Sequence, residues 1–354
     1  MSPRSMLSTS VVGLVVQVVV WSRQVQCLRP HGWESSPILR SRMRASERPS
    51  LSTRSGFRSH PSFAITEDTV QTFWKENKAV RAGAEDRVDM PWTESIEHGQ
   101  PLTFMDFWVW QSNTMVEKLP GLRCLPTTSQ DGMVDFASMV GDGARITNLS
   151  FASDDFRKIR MTYYDAGRNA QVFNALWYPN TDQNLPLLGI DLLQFNGGKK
   201  HLTVIDFQPL DQDEETLTSI SNHLDPIRDR FPTLQGRMSK RFYDENEFFS
   251  KSMLFARFQD EQTIDRELRG AFQQAVSAYI DMAQQTKKTK DDRTPDQITK
   301  DRNRTQARQK AYDVYSAERD PALKLFEKKF GTEWADVYVH DFLFSWSREG
   351  KSGC

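Results

Sequence analysis

Hydrophobic and polar positions change period twice along this 354-residue chain. Between residues 143 and 210 apolar positions fall in short runs separated by Gly, Asn, Asp or Pro: "GARITNLSFAS" (143–153), "DFRKIRMTYYDAG" (155–167), "NAQVFNALWYP" (169–179), "LPLLGIDLLQF" (185–195) and "KKHLTVIDFQPL" (199–210). Such runs predict five successive strands joined by short turns, an antiparallel meander. A sixth strand, "KSMLFARFQ" (251–259), is predicted to join the sheet after a polar, partly helical excursion. Ahead of the meander, in 63–120, "TVQTFWKENKAV" and "LTFMDFWVWQSNTMVEKL" carry apolar residues at helical spacing. After it, "DEQTIDRELRGAFQQAVSAYIDMAQQ" (260–285) is amphipathic over its whole length, and the charged "KKTKDDRTPDQ" (287–297) reads as a solvated loop before another helix. "ERDPALKLFEKKFG" predicts a fresh helix with Asp320 at the N-cap, Pro321 at the first helical position and Gly331 as terminator. Helices before and after one antiparallel sheet predict a single α+β domain over 63–354, with helices covering both faces. No internal repeat is present.

Residues 1–62 have a different character. The apolar run "VVGLVVQVVVW" (11–21) follows Arg4, has the length of a signal-peptide core and is too short to span a bilayer comfortably. Residues 28–62 are rich in Arg and Ser with Glu34 and Glu47 as their acids, the composition of a transit peptide. Together they read as a bipartite presequence of the kind carried by nucleus-encoded proteins bound for plastids with extra membranes, so the expected location is the plastid stroma. A secreted protein with a basic arm is the alternative, but Cys27, Cys124 and Cys354 supply no disulfide framework.

Setting the presequence aside changes the charge. Residues 1–62 hold nine Arg, no Lys and two Glu, so of 46 basic and 47 acidic side chains the remainder keeps 37 and 45, a net charge of −8. Nonspecific nucleic-acid binding is not expected of such a surface. An anionic partner would need a local basic patch.

Common cofactor motifs are missing. "GDGARI" (141–146) lacks the third glycine of a dinucleotide loop and precedes a strand rather than a helix, so it reads as a turn. The sequence has no phosphate-binding G-x-x-x-x-G-K, no C-x-x-C, no paired-His zinc spacing and no G-x-S-x-G elbow. His98, His201, His223 and His340 are scattered.

Two polar residues interrupt apolar strands instead. The period of two puts Gly189, Asp191, Leu193 and Phe195 on one face, so Asp191 points at a packed surface. A carboxylate there must be paired, or rise in pKa and keep its proton; it is either a hydrogen-bonded core group or a proton donor. Asn174 shares a face with Val172, Leu176 and Tyr178, and in a hairpin of 169–179 with 185–195 the two polar residues flank one cavity.

With these residues in view, "LWYPNTDQNLPLLGIDLLQFNGGKKHLTVIDFQPL" (176–210), "FFSKSMLFARF" (248–258) and "ERDPALKLFEKKFGTEWADVY" (318–338) resemble, in order and spacing, the ferredoxin-dependent bilin reductases, over residues 65–345. The resemblance implies a three-layer α/β/α sandwich with a central antiparallel sheet and an open-chain tetrapyrrole held between the sheet and C-terminal helices. It implies no bound flavin, nicotinamide or metal: reduced [2Fe-2S] ferredoxin delivers single electrons, the bilin carries the radical, and the protein supplies protons. Asp191 matches the family's proton-donating sheet aspartate, and Asp320 a second aspartate on the helical side. Asn174 stands where the phycocyanobilin-forming member has His, so it resembles the phycoerythrobilin-forming members. The expected reaction is A-ring reduction of 15,16-dihydrobiliverdin to phycoerythrobilin. The alternatives are reduction of the 15,16 methine bridge of biliverdin, both steps in sequence, or a bilin-binding carrier without catalysis.

Two propionates need cations, for which Arg257 and Arg241 are the candidates. Lys199, Lys200, Lys240 and Lys251 are the candidate docking rim for acidic ferredoxin. The expected partners are ferredoxin, the bilin, and an upstream bilin reductase or downstream bilin lyase, with the chain itself a monomer and without a stable membrane span.

Overall fold

Alternation in the middle of the chain does become a meander. The computed structural model describes residues 92–237, 246–288 and 294–348. Residues 1–62, where a presequence is expected, "TVQTFWKENKAV", Cys27, Cys354, Lys240 and Arg241 lie outside the described residues, as does part of the charged loop after residue 288.

Among the described residues eight strands form one antiparallel sheet: β1 (Arg123–Cys124), β2 (Ser138–Gly141), β3 (Ala144–Ala152), β4 (Phe156–Asp165), β5 (Ala170–Pro179), β6 (Leu187–Phe195), β7 (Lys200–Gln208) and β8 (Leu254–Phe258). The order is β1-β3-β4-β5-β6-β7-β8, with β2 paired to β3. The five predicted meander strands and the sixth all form, each slightly shorter than its apolar run. β1 and β2 are additional; with two and four residues they are too short to show a period, and Val140 of β2 is 68% exposed. Between β6 and β7 the chain reverses through Asn196, Gly197 and Gly198, all at positive φ (55°, 61° and 84°), where two glycines remove the Cβ clash.

The two faces of the sheet differ in chemistry. On one, Met161, Phe173, Ala175, Trp177, Ile190 and Ile205 form a continuous apolar surface. It is covered by α1 (Met105–Lys118), α2 (Glu214–Arg230) and α3 (Arg269–Lys288), whose buried side chains belong to the same core. The opposite face carries Arg160 and Thr162 of β4, Asn174 of β5 and Asp191 of β6, and is covered by the C-terminal elements: α4 (Pro295–Arg319), α5 (Ala322–Phe330), α6 (Thr332–Val337) and a π-helical turn, Tyr338–Leu343. The result is a three-layer α/β/α sandwich, an α+β fold.

Asp320 departs from its expected place. α4 runs to Arg319 and Asp320 closes it in an extended conformation (φ −67°, ψ 111°), as the residue before a proline is driven to adopt. Pro321, not Asp320, holds the N-cap position of α5, although the Asp320 carboxylate still accepts the Ala322 N–H at 2.8 Å. Gly331 ends α5 at φ 95°, as expected.

Candidate active site

The site grows out of the register of three strands. Asn174 of β5 lies opposite Asp191 of β6 on one side and Thr162 of β4 on the other. The Asn174 amide donates to Asp191 Oδ1 and to the Ile190 carbonyl, while its Oδ1 accepts an N–H from Arg160 of β4. Arg160, Asn174 and Asp191 thus form a hydrogen-bonded row across the sheet. They line a cavity of about 220 Å³ between the sheet and the C-terminal helices. Asp320 and Arg319 enter the same cavity from the far wall, at the junction of α4 and α5.

Tyrosine hydroxyls fix the separation of the two walls. Tyr312 of α4 donates to Gln208 of β7 at 2.7 Å, Tyr178 of β5 donates to Asp313 of α4 at 2.7 Å, and Tyr338 donates to Asn148 of β3 at 2.6 Å. Burial pushes all three hydroxyls well above the ordinary tyrosine range, so they stay neutral and serve as struts. Gly189 lines the cavity, and a Cβ there would stand 2.6 Å from the Gln208 amide, which Tyr312 holds in place, so the position suits glycine.

Electrostatics separate the carboxyls from ordinary surface acids. Burial pushes Asp191 above its usual value, against the pull of the Asn174 hydrogen bond and the Arg160 charge. Asp320 is pushed up to about 6, again mainly by burial, with the Ala322 amide and Arg160 pulling it down and the Asp191 charge pushing it up. Two carboxyls that hold protons at higher pH than free acids, facing one cavity, can act as proton donors to whatever lies between them.

The structure therefore brings Asp191, Asn174 and Asp320 together. It does not add Arg257, which pairs in register with Leu202, is exposed and does not line the cavity; its guanidinium lies 5.5 Å from the Phe255 ring. Nor do the lysines form one rim. Lys199 and Lys200 stand at the start of β7, whereas Lys251 precedes Leu254 of β8, which pairs with Ile205 towards the other end of β7. At about 3.4 Å per residue the two groups are separated by roughly 20 Å along the sheet. Arg160 is the site residue that the sequence reading passed over. Its signal was the same period of two: Lys158, Arg160 and Thr162 share a face, with Ile159 and Met161 on the other.

An apolar slot between sheet and helices thus holds two opposed carboxyls with raised pKa values and a buried guanidinium, groups able to orient a ligand and exchange protons with it. The chain belongs to the ferredoxin-dependent bilin reductase family, whose profile matches residues 114–345. It is a ferredoxin-dependent bilin oxidoreductase. The chain is 42% identical over 201 residues to the 15,16-dihydrobiliverdin:ferredoxin oxidoreductase of Nostoc punctiforme, covering 57% of this chain and 79% of that one. It is 42% identical over 192 residues to the enzyme of the same name from Parasynechococcus marenigrum, covering 53% and 77%. The crystal structure of phytochromobilin synthase from tomato, in complex with biliverdin, superposes with a TM-score of 0.56 at 19% identity, over 70% of this chain and 84% of that one, and shares the fold. No described helix is long and apolar enough to cross a membrane.

Proposed function

We propose that the chain reduces the 15,16 methine bridge of biliverdin to give 15,16-dihydrobiliverdin. The observation that carries the chemistry is the opposition of Asp191 and Asp320 across one cavity. The choice of bond draws on the relatives: their name pairs 15,16-dihydrobiliverdin with ferredoxin, and the dihydro compound is the reduced member of that couple. Two electrons arrive singly from reduced [2Fe-2S] ferredoxin and two protons from the protein, so that the C15=C16 double bond becomes a single bond. Asp191 supplies one proton from the sheet side and Asp320 the other from the helical side, each recovering its own from solvent. No flavin, nicotinamide or metal takes part. A plastid stroma, the address read from residues 1–62, is part of the same proposal.

A-ring reduction, the step that the resemblance of Asn174 favours, is the competing outcome of one experiment. The protein is incubated anaerobically with reduced ferredoxin and either biliverdin or 15,16-dihydrobiliverdin, and products are followed by absorption and chromatography. Conversion of biliverdin with accumulation of 15,16-dihydrobiliverdin supports the proposal. Untouched biliverdin, with 15,16-dihydrobiliverdin consumed to phycoerythrobilin, overturns it in favour of the A ring.

A further inference from the structure

Arg160 carries more hydrogen-bonding capacity than its protein neighbours use. It is 3% exposed and lines the cavity. One N–H goes to Asn174, the Phe344 ring lies 5.5 Å from its guanidinium carbon, and Nε has no hydrogen-bond partner among the described residues. A guanidinium presents five N–H donors in a fixed fork, and buried donors left empty are rare in folded proteins unless something else completes them.

The surroundings indicate which kind of atom completes this one. Arg160 already acts on two carboxyls, Asp191 through the Asn174 amide and Asp320 by its charge. A propionate would be a third carboxylate around Arg160, whereas Arg319, the other guanidinium lining the cavity, is exposed and open to such a group. A neutral carbonyl oxygen accepts a guanidinium N–H from the cavity side without adding charge. In an open-chain tetrapyrrole such oxygens belong to the lactams of the two end rings. The backbones of Arg160 and Asp191 are two strands apart, about 10 Å at the usual strand spacing, and their side chains converge on the Asn174 amide from its two sides. A bilin whose inner nitrogens lie over Asp191 therefore extends an end ring towards Arg160.

We propose that Arg160 binds the lactam oxygen of one end ring and so determines which end of the bilin is held beside Asp191 and Asp320; the inference rests on the reading of this cavity as the bilin site. Arg160 is then a specificity-determining residue. The charge that holds the lactam also stabilises electron density arriving on that ring.

The test titrates the full chain, without ferredoxin, with biliverdin and with biliverdin dimethyl ester, for wild type, Arg160→Met and Arg160→Lys. Met keeps the length and apolar volume but removes every donor. Affinity is expected to fall about tenfold or more in Arg160→Met for both ligands by the same factor, with Arg160→Lys between the two, because a lactam contact is indifferent to esterification of the propionates. Single turnover with reduced ferredoxin should then give Arg160→Met products reduced at more than one position. Unchanged affinity for both ligands would overturn the inference, and so would a loss confined to the free acid, which assigns Arg160 to a propionate. Circular dichroism checks folding; if Arg160→Met fails it, Arg160→Lys decides by the same comparison, equal weakening for both ligands supporting the lactam and any other pattern rejecting it. If wild type takes up neither bilin, the assignment of the cavity fails, a result distinct from any difference among variants.

Discussion

Asn174 and Asp191 face each other across β5 and β6, and the Asn174 amide is held in one sense only. Its oxygen accepts from the Arg160 guanidinium and its nitrogen donates to the Asp191 carboxylate. Turning the amide over would set oxygen against oxygen and nitrogen against nitrogen. The charge of Arg160 and the proton on Asp191 are therefore linked through a side chain that has no charge of its own.

Cutting that link should be visible as a pH effect. Asn174→Leu keeps the volume of the strand face but removes the hydrogen bond that draws the Asp191 pKa down. The Asp191 pKa should rise, so the protonated donor persists to higher pH and the alkaline limb of the rate moves upwards. The rate on the plateau should fall on the order of tenfold, because the acid is no longer oriented. A single-turnover pH profile taken in an Asp320→Asn background, where Asp191 alone sets the alkaline limb, checks this, and a limb in the same place with and without Asn174→Leu contradicts it.

Asp191→Asn should bind biliverdin as wild type does and stall after the first electron. The amide preserves shape and can still meet Asn174, but it has no proton to give. Reduction should slow by about 10² to 10⁴, the usual worth of a positioned acid. Absorption spectra during anaerobic reduction should show a persistent radical species. Full turnover would make Asp191 a packing residue.

The strands were legible because each buries one or both faces, and alternation follows directly from the pleat. The pairing of Asn174 with Asp191 was legible for the same reason, since a hairpin fixes its own register. Arg160 was not. Its strand "FRKIRMTYYD" has a single half-buried position, Arg157, and every other residue is buried, yet its three cations look like surface residues until the C-terminal helices close over them. The lysines misled for the opposite reason: nearness in sequence to β7 and β8 says little about which end of an antiparallel pair they occupy. Asp320 was found by resemblance, while its local pattern described a helix cap, and it does still cap Ala322.

A second buried acid on the cavity side of the sheet should shape stability. Asp206 is fully buried, accepts from the Ser250 amide at 2.9 Å and from the Ser250 hydroxyl, and is raised to about 7 by burial. Its folded pKa lies above its unfolded value, so between pH 4 and 7 the folded state holds a proton that the unfolded state has lost, and stability falls as pH rises through that window. Asp206→Asn removes this dependence while retaining an oxygen for the Ser250 amide. The variant should be more stable than wild type at pH 8, by about 2 to 4 kcal/mol, and lose that advantage by pH 5. Urea unfolding at the two pH values measures it; parallel curves would refute it.

The last prediction concerns Asp320, whose carboxyl is raised to about 6 by burial. Its proton-donating form is fully present below that value and declines as pH rises through it, to roughly one molecule in ten at pH 7. If Asp320 supplies the second proton, single-turnover formation of 15,16-dihydrobiliverdin should fall progressively above pH 6. Asp320→Asn should lose that limb and, at pH 5.5, run about ten to a hundredfold slower than wild type. Folding is not the confounding factor: the Asn oxygen can still accept the Ala322 N–H, so the turn between α4 and α5 keeps its hydrogen bond, and biliverdin binding should be unchanged. Because Asp191 lies on the other wall and keeps its own proton, the variant should still accept an electron and show the radical spectrum before product. Wild-type yield and an unaltered pH profile in Asp320→Asn would remove the second acid from the mechanism and leave Asp191 to deliver both protons.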